Sequence, residues 1–377
     1  MGTFPKVTDV RDYGGWLELS REGLLHNLEG VRRLAEPAQA MPVIKANAYG
    51  AGAAGVALVL QDAAVARFAV ATVDEAVALR EVGIRSDIVC LTYFDAGDLD
   101  AIGHHGLTPT VFSDADVRLL CDAAAKTGSR PSVWVKVDTG LGRLGVPVDD
   151  AAAFIDGILR DTPLVIAGVY STLAERTGSD GQQLARLLTL RERLPALSST
   201  LWSLASSHGI LTSPEACLDV VRPGVMLLGF PPSEPERMDA ERVTLADLTP
   251  IVTWKTRVSS VKTVPAGGQV GYGEQAPLAG DTRVAGLMIG WADGYTGSPE
   301  SESHVLMGGF RCPVLALSAN TTLIDATAAA RVAPGDEAVL LGRQGGAEVS
   351  VDELARAGGG VYRMLARIPA RVPRIWS

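Results

Sequence analysis

Met41-Pro-Val-Ile-Lys-Ala-Asn-Ala-Tyr-Gly50 delivers one lysine, Lys45, at the end of an apolar run and then continues into small residues. A lysine at the end of a buried strand loses hydration, and such a position is costly unless the amine has a task. Outward from this stretch the same texture recurs. Val43–Ala48, Phe68–Val73, Ile88–Leu91, Pro109–Phe112, Val133–Val137, Val165–Tyr170, Leu201–Ala205 and Leu218–Val221 are short apolar runs that predict strands. Amphipathic stretches such as Asp74–Val82, Asp114–Lys126, Asp149–Arg160 and Gly181–Leu194 separate them and predict helices. Short apolar strands alternating with helices imply a parallel sheet covered on both faces. Eight such units predict an α/β domain of the TIM-type (β/α)8 barrel class, with its chemistry at the C-terminal ends of the strands. Lys45, Lys136, Arg143, Ser207 and Arg222 all fall at such ends or in the loops that follow.

Beyond residue 245 the texture changes. Ile251–Thr263, Thr282–Ile289, His304–Met307, Val314–Leu317 and Glu337–Leu341 read as strands, with turns at Ala266-Gly-Gly268 and Gly308-Gly309, and long helical patterns fade. The expected organisation is therefore a barrel over residues 1–245 and a mainly β domain over 246–377. Gly15–Leu19 is expected to add a strand to the β domain ahead of a helix over Arg21–Ala35. Ser298–Ser303 is the expected mobile loop.

The chain has 377 residues, more than one ordinary core accommodates, so two domains are the default. A net charge of −9 argues against nucleic acid as the main partner, which needs a basic surface. No apolar run approaches the ~18 residues of a membrane span, and Met1-Gly-Thr-Phe-Pro-Lys6 lacks the layout of a signal peptide. Cys90, Cys121, Cys217 and Cys312 form no CxxC pair and read as free thiols of a reducing cytoplasm. The five histidines have no metal-ligand spacing, so no metal is expected.

One task that suits Lys45 is a Schiff base with pyridoxal phosphate (PLP), and the segment around it resembles the cofactor-lysine motif of the alanine racemase family. Further segments in the same order extend the resemblance over nearly the whole chain. Val135-Lys-Val-Asp-Thr-Gly-Leu-Gly-Arg-Leu-Gly145 resembles the stretch in which a lysine, often carbamylated, braces an arginine near the cofactor ring; Lys136 and Arg143 match them. Asp219-Val-Val-Arg-Pro-Gly-Val-Met-Leu-Leu-Gly229 carries the family's Arg-Pro-Gly. The resemblance implies that Arg222 faces the pyridine nitrogen and that the Gly224 and Val225 amides hold the phosphate, with Ser207 and Tyr49 beside them. A guanidinium stays protonated, so the pyridine nitrogen facing it does not carry a proton comfortably. The ring is then a weaker electron sink, which suits racemisation over transamination. Val270-Gly-Tyr-Gly-Glu274 resembles the segment bearing the second catalytic residue, Tyr272, contributed by the other subunit of a homodimer. A tyrosine hydroxyl ordinarily titrates near ~10, so that role requires cationic surroundings or a proton relay. Gly360-Val-Tyr-Arg-Met364 implies that Tyr362 contacts the phosphate, again across the dimer interface.

The departures from the pattern are specific. The usual histidine two residues after Tyr49 is Ala51, and Ser206 replaces an asparagine beside the phosphate-binding serine. Thr172 stands where the family has a histidine that braces the pyridine-facing arginine, and Trp291 where it has a tyrosine. The substrate-carboxylate segment becomes Ser318-Ala-Asn-Thr321, so that Ala319 and Asn320, with Arg143, are the expected substrate contacts. The charged residues of the family's access channel correspond to Thr177, Gly297 and either Ala316 or Leu317. The resemblance implies a PLP-dependent racemase with Lys45 and Tyr272 as the two bases. Its small-molecule substrate would be alanine, serine or a bulkier or non-standard amino acid. A PLP-dependent aldolase, transaldolase or lyase acting on a β-hydroxy amino acid is the alternative, and a non-catalytic PLP-binding protein a third reading.

Overall fold

The computed structural model describes residues 14–176, 178–232, 240–274 and 276–377; Thr177 lies outside them. The chain divides into two compact units. One comprises Glu22–Ala48 and Ala53–Pro250; the other comprises the N-terminal residues up to Arg21, Tyr49–Gly52 and Ile251–Ser377.

The first unit is a closed parallel barrel. After strand β1 (Gly15–Leu19), which belongs to the second unit, and helix α1 (Arg21–Ala35), its strands are β2 (Gln39–Ala40), β3 (Arg67–Val70), β4 (Asp87–Cys90), β5 (Thr108–Val111), β6 (Ser132–Asp138), β7 (Val165–Tyr170), β8 (Leu201–Ser203) and β9 (Val220–Val221). Pairing runs in parallel from β3 through β8. The ring closes through β9 on β2 and through hydrogen bonds that continue those short strands. Ile44 N–H donates to Ala69 O at 2.9 Å, Met41 N–H to Val221 O at 2.8 Å and Arg222 N–H to Ala205 O at 2.9 Å. Helices between the strands start and stop where local chemistry dictates. In α2 (Val73–Glu81) and α3 (Asp114–Thr127), Thr72 and Ser113 are the N-caps, each accepting a backbone N–H three residues on, and Gly128 ends α3 in the left-handed conformation. Packing inside is tight: Trp134 lies on Gly168 of the neighbouring strand, where a Cβ would stand 2.6 Å from the indole.

The strand expected over Val43–Ala48 is corrected. The extended run ends at Ile44, and Ala46, Asn47, Ala48 and Tyr49 are left-handed, with φ between 51° and 55°.

The second unit is mainly antiparallel. Its strands after β1 are β10 (Val252–Val264), β11 (Thr282–Leu287), β12 (His304–Met307), β13 (Phe310–Leu317), β14 (Thr322–Asp325), β15 (Glu337–Gln344), β16 (Ala347–Val349) and β17 (Arg374–Trp376). Their order is β16-β15-β12-β13-β14-β11-β10-β1-β17, and an additional β10–β15 pairing closes six of them into a ring. The thirteen-residue β10 serves three partners because a register shift between Val258 and Ser260 bends it. Two helices, Val351–Gly358 and Val361–Ala366, interrupt the β texture; each is too short to build a long periodic signal. The expected loop at Ser298–Ser303 contains a helical turn, Pro299–Ser301, closed by hydrogen bonds among Ser298, Ser301 and Ser303.

Candidate active site

Lys45 follows Ile44, the last residue of the extended run that continues β2, and precedes the left-handed turn. A left-handed turn costs roughly 1–2 kcal/mol per non-glycine residue, so four in succession require firm support. The Glu75 carboxylate supplies part of it, accepting Ala46 N–H at 2.6 Å through one oxygen and Ala71 N–H at 2.7 Å through the other. Ala48 N–H returns to Ile44 O at 2.8 Å, and Asn47 Oδ1 accepts from Ala53 N–H at 2.9 Å. The half-buried Lys45 amine is held below its ordinary pKa, first by burial and then by Arg143; Glu75 opposes this and Arg222 adds to it. Three sequence-expected residues on different strands and loops are thus electrostatic neighbours.

Lys136, on β6, is 4% exposed. Its ammonium donates to Thr172 Oγ1 at 3.2 Å and stands 4.4 Å from the centroid of the Tyr170 ring. Burial, then Arg222 and Arg143, lower its pKa to about 7, with Asp138 opposing and Lys45 adding. Burial alone would raise the Asp138 carboxyl. The Gly140, Gly142 and Leu141 N–H bonds it accepts, together with Lys136, outweigh that and hold it below the usual range. Those bonds wind residues 138–142 into the turn that precedes Arg143, which is exposed. An ammonium and a guanidinium are both donors and cannot hydrogen-bond each other. Bracing of Arg143 by Lys136 therefore needs an acceptor between them.

Arg222, 5% exposed, follows β9. It donates to Ser203 Oγ and Ser171 O at 2.5 Å, Leu204 O at 3.2 Å and Thr172 Oγ1 at 3.5 Å, all neutral oxygens. Its guanidinium lies 5.1 Å from the Tyr170 ring centroid, and burial lowers its pKa to about 10. Beside it, Ser207 opens the helix Ser207–Thr212, and its Oγ accepts Gly224 N–H at 2.9 Å. Val225 is the first residue of a short 3-10 turn, where N–H groups lack intrahelical acceptors. Ser206 Oγ is buried with no partner. The Gly224 amide is thus engaged by Ser207, while Ser206 is a donor in want of an acceptor.

In the second unit, Tyr272 sits on a bend and is 85% exposed. The preceding Gly271 has φ +98°, and a Cβ there would stand 2.6 Å from the Ala316 methyl. A Cβ at Gly297 would collide with the Tyr295 hydroxyl, and Tyr295 is buried edge-to-face on Trp254. Gly271 and Gly297 therefore have packing partners that require glycine at those positions. Trp291 N–H donates to Ser318 O at 3.0 Å and Ala292 N–H to Ala319 O at 2.9 Å, fixing the turn that exposes Asn320. The Tyr49 and Tyr362 rings meet edge-on with centroids 5.4 Å apart. That contact lies within one chain, which corrects the expectation that Tyr362 comes from across a dimer interface. Gly50 O is held by Arg374 Nε at 3.1 Å and Nη2 at 2.6 Å.

Three residues escaped the sequence reading: Glu75, Tyr170 and Gln183. Gln183 Nε2 donates to Thr139 Oγ1 at 3.2 Å and Thr172 O at 3.0 Å, and its Oε1 accepts Ala174 N–H at 2.7 Å. It joins the loop after β6 to the loop after β7. Only the apolar-to-polar change at the end of Val165–Tyr170 hinted at Tyr170, and neither Glu75 nor Gln183 stands out from an ordinary helix face.

Four cationic side chains thus influence one another at the C-terminal ends of the strands. Beside them are an unpartnered buried hydroxyl and a lysine with a depressed pKa. This donor set fits an anionic, carbonyl-bearing group such as PLP.

The family model described as alanine racemase, N-terminal domain, matches residues 19–232, and that described as alanine racemase, C-terminal domain, matches 251–376. An alanine racemase of Carboxydothermus hydrogenoformans is 36% identical over 369 residues, 96% of this chain and 99% of that one. The alanine racemase structure from Clostridium difficile 630 superposes with a TM-score of 0.88 at 25% identity, covering 97% of this chain and 96% of that one. An alanine racemase from Bartonella henselae, solved with covalently bound pyridoxal phosphate, shares the fold with a TM-score of 0.82 at 24% identity, covering 96% of this chain and 99% of that one. Among the described residues no helix is long and apolar enough to cross a membrane.

Proposed function

Because the chain belongs to the alanine racemase family and is an amino-acid racemase, an isomerase, we propose that it interconverts the enantiomers of a small amino acid, alanine first and serine second, with PLP held by Lys45. The observation that carries this is the depressed pKa of Lys45 beside Arg143 and Arg222. A lysine with a depressed pKa offers more neutral amine, the form that both anchors a carbonyl cofactor and takes up a proton.

When bound, PLP supplies the electron-withdrawing ring that acidifies the substrate Cα–H. Tyr49, Ser207, Val225 and Tyr362 would hold the phosphate, with the Ser206 hydroxyl as an added donor. Arg222 would donate toward the ring nitrogen, and its neutral acceptors leave its charge facing that nitrogen undiminished. Arg143, with Ala319 and Asn320, would orient the substrate. Lys45 Nζ takes or gives the proton on one face of Cα. Tyr272 Oη of a second copy does the same on the other face, which makes the working species a homodimer; the exposure of Tyr272 supports a role outside its own protomer. The near-neutral pKa of Lys136 favours the uncharged amine that reacts with carbon dioxide, and a carbamate there would supply the acceptor between Lys136 and Arg143. Four free cysteines suit a reducing cytoplasm.

The test is incubation of the PLP-loaded protein with single enantiomers of alanine, serine and threonine in D₂O. Deuterium at Cα together with the opposite enantiomer is expected for alanine or serine. Glycine plus an aldehyde, or exchange with retained configuration, would overturn the racemase reading in favour of lyase chemistry.

A further inference from the structure

Thr172 Oγ1 is a hydrogen-bonding atom that two buried cations of the barrel, Lys136 and Arg222, share. Lys136 Nζ donates to its Oγ1 at 3.2 Å, and Arg222 Nη2 lies 3.5 Å from the same oxygen. A lysine ammonium and an arginine guanidinium have no acceptor of their own, whereas a hydroxyl oxygen has two lone pairs and can take one hydrogen from each. The backbone around Thr172 is fixed independently of its side chain. Its carbonyl accepts from Gln183 Nε2 at 3.0 Å. Ser171 N–H donates to Ser203 O at 3.0 Å, Ser171 O accepts from Arg222 at 2.5 Å, and Ser171 Oγ meets Thr139 Oγ1 at 2.8 Å. The hydroxyl is therefore set at its position by the fold.

We propose that Thr172 is a positioning residue whose single oxygen couples the Lys136 ammonium to the Arg222 guanidinium, so that the protonation of Lys136 and the charge presented to the cofactor ring are linked through it. The inference rests on the reading of this site as a PLP site. The groups that influence Lys136 are Arg222 beyond β9, Arg143 on the loop after β6, Asp138 at the end of β6, and Lys45 beyond β2, with the Tyr170 ring beside the ammonium. In the uncarbamylated chain, Arg222, Arg143 and Lys45 carry like charge and Asp138 is engaged by three backbone amides, so the Thr172 oxygen is the acceptor that keeps the ammonium tolerable. A hydrogen bond to a charged group favours the charged form, so removing it favours the neutral amine.

The test compares wild type with Thr172→Val, which keeps shape and loses the hydroxyl, and Thr172→Ser, which keeps the hydroxyl. Six lysines in the chain make [13Cε]-lysine spectra assignable by single Lys→Arg variants. Lys136 is titrated in the cofactor-loaded protein in carbonate-free buffer, and the absorption band of bound PLP is followed over the same pH range. In wild type the Lys136 midpoint is expected well below the ordinary lysine value, near pH 7 in the unloaded chain. In Thr172→Val it should fall by about one unit, the scale of one charge-assisted hydrogen bond. The pH at which the cofactor band changes should move with it, and Thr172→Ser should stay close to wild type. Thr172→Ala replaces the valine variant if that one does not fold. Unchanged midpoints in the variant lacking the hydroxyl, or a serine variant as displaced as valine, would overturn the proposal. If wild type takes up no PLP, the reading of the site fails, while the lysine titration of the unloaded chain still decides on the shared oxygen.

Discussion

Replacing Lys136 with methionine should stabilise this protein at neutral pH while abolishing its activity. The folded-state pKa of Lys136 is lowered from 10.5 to about 7. Between those values the unfolded chain binds a proton that the folded chain does not, so stability rises with pH through that window and is lost as pH falls from 10.5 toward 7. At ~1.36 kcal/mol for each pH unit, the whole window amounts to about 5 kcal/mol at pH 7. Relaxation and water entry reduce such figures, which leaves an expected difference on the order of 2–5 kcal/mol. Methionine fills a similar volume, retains contact with the Tyr170 ring and removes a positive charge beside Arg222 and Arg143. Urea denaturation of wild type and Lys136→Met from pH 7 to 10, at equal protein concentration in carbonate-free buffer, measures the difference. The variant should be the more stable at pH 7, and the two should converge toward pH 10. Lys45 also has a depressed pKa and contributes a slope of the same sign to both proteins, so it cancels in the comparison. A difference that is absent, or that does not change with pH, would refute the assignment of Lys136 as a buried, destabilised amine.

Tyr272→Phe should reduce racemisation by roughly 10²–10⁴-fold, the usual scale of one acid–base group. It should leave Cα exchange with retained configuration for one enantiomer, as read by deuterium uptake and chiral chromatography. Glu75→Gln places an amide where two backbone N–H groups need acceptors, so one is left without a partner at a cost of about 1–3 kcal/mol. Thermal unfolding of the unloaded protein should show a lower Tm, and the Lys45 midpoint should move down, since Glu75 is the anionic group that raises it. Gly50→Ala combines a φ of +89° with a collision between the new methyl and the Leu365 carbonyl oxygen. It should yield little soluble protein, whereas Gly83→Ala, which has positive φ and nothing within 4 Å, should remain soluble with a modest fall in Tm.

The barrel was legible because most of its strands are short apolar runs with buried residues on both faces; β2 (Gln39–Ala40), which is neither apolar throughout nor buried, is the exception. Val165–Tyr170 and Arg21–Ala35 carry the expected bounds, and most other ends differ by only a few residues. The left-handed turn was not legible. Ala46, Asn47, Ala48 and Tyr49 include no glycine, and their conformation is supported by the sequence-distant Glu75 carboxylate and by bonds involving Ile44 and Ala53, none of which leaves a recognisable sequence signal. Strands β14, β16 and β17 have only three or four residues each and do not build an alternation. Within the site, the cationic residues stood out because lysine and arginine are conspicuous in apolar surroundings. Gln183 did not, because a glutamine in a helix reads as solvated until its three hydrogen bonds are seen. The side from which Tyr362 acts depends on tertiary placement of the helix Val361–Ala366 against Tyr49, which sequence order does not specify.

The charge balance of the barrel explains why these features occur together. Lys45, Lys136, Arg143 and Arg222 act on one another electrostatically, and the carboxylates near them, Glu75 and Asp138, are engaged by backbone N–H groups. The folded chain thus holds an excess of positive charge, two of its cations, Lys136 and Arg222, being buried, which opposes folding. An anionic cofactor that binds only the folded state relieves that excess. It stabilises the fold by RT ln(1 + [L]/Kd), about 2.7 kcal/mol at a hundredfold excess over Kd. Strain in the left-handed turn works in the same direction: it holds Lys45 at the end of its strand in a backbone conformation that the free chain rarely visits, at a cost that the rest of the barrel carries. Stability given up at the mouth of the barrel and a site ready for an anion are therefore two consequences of one arrangement. A variant that relieves the first should weaken the second.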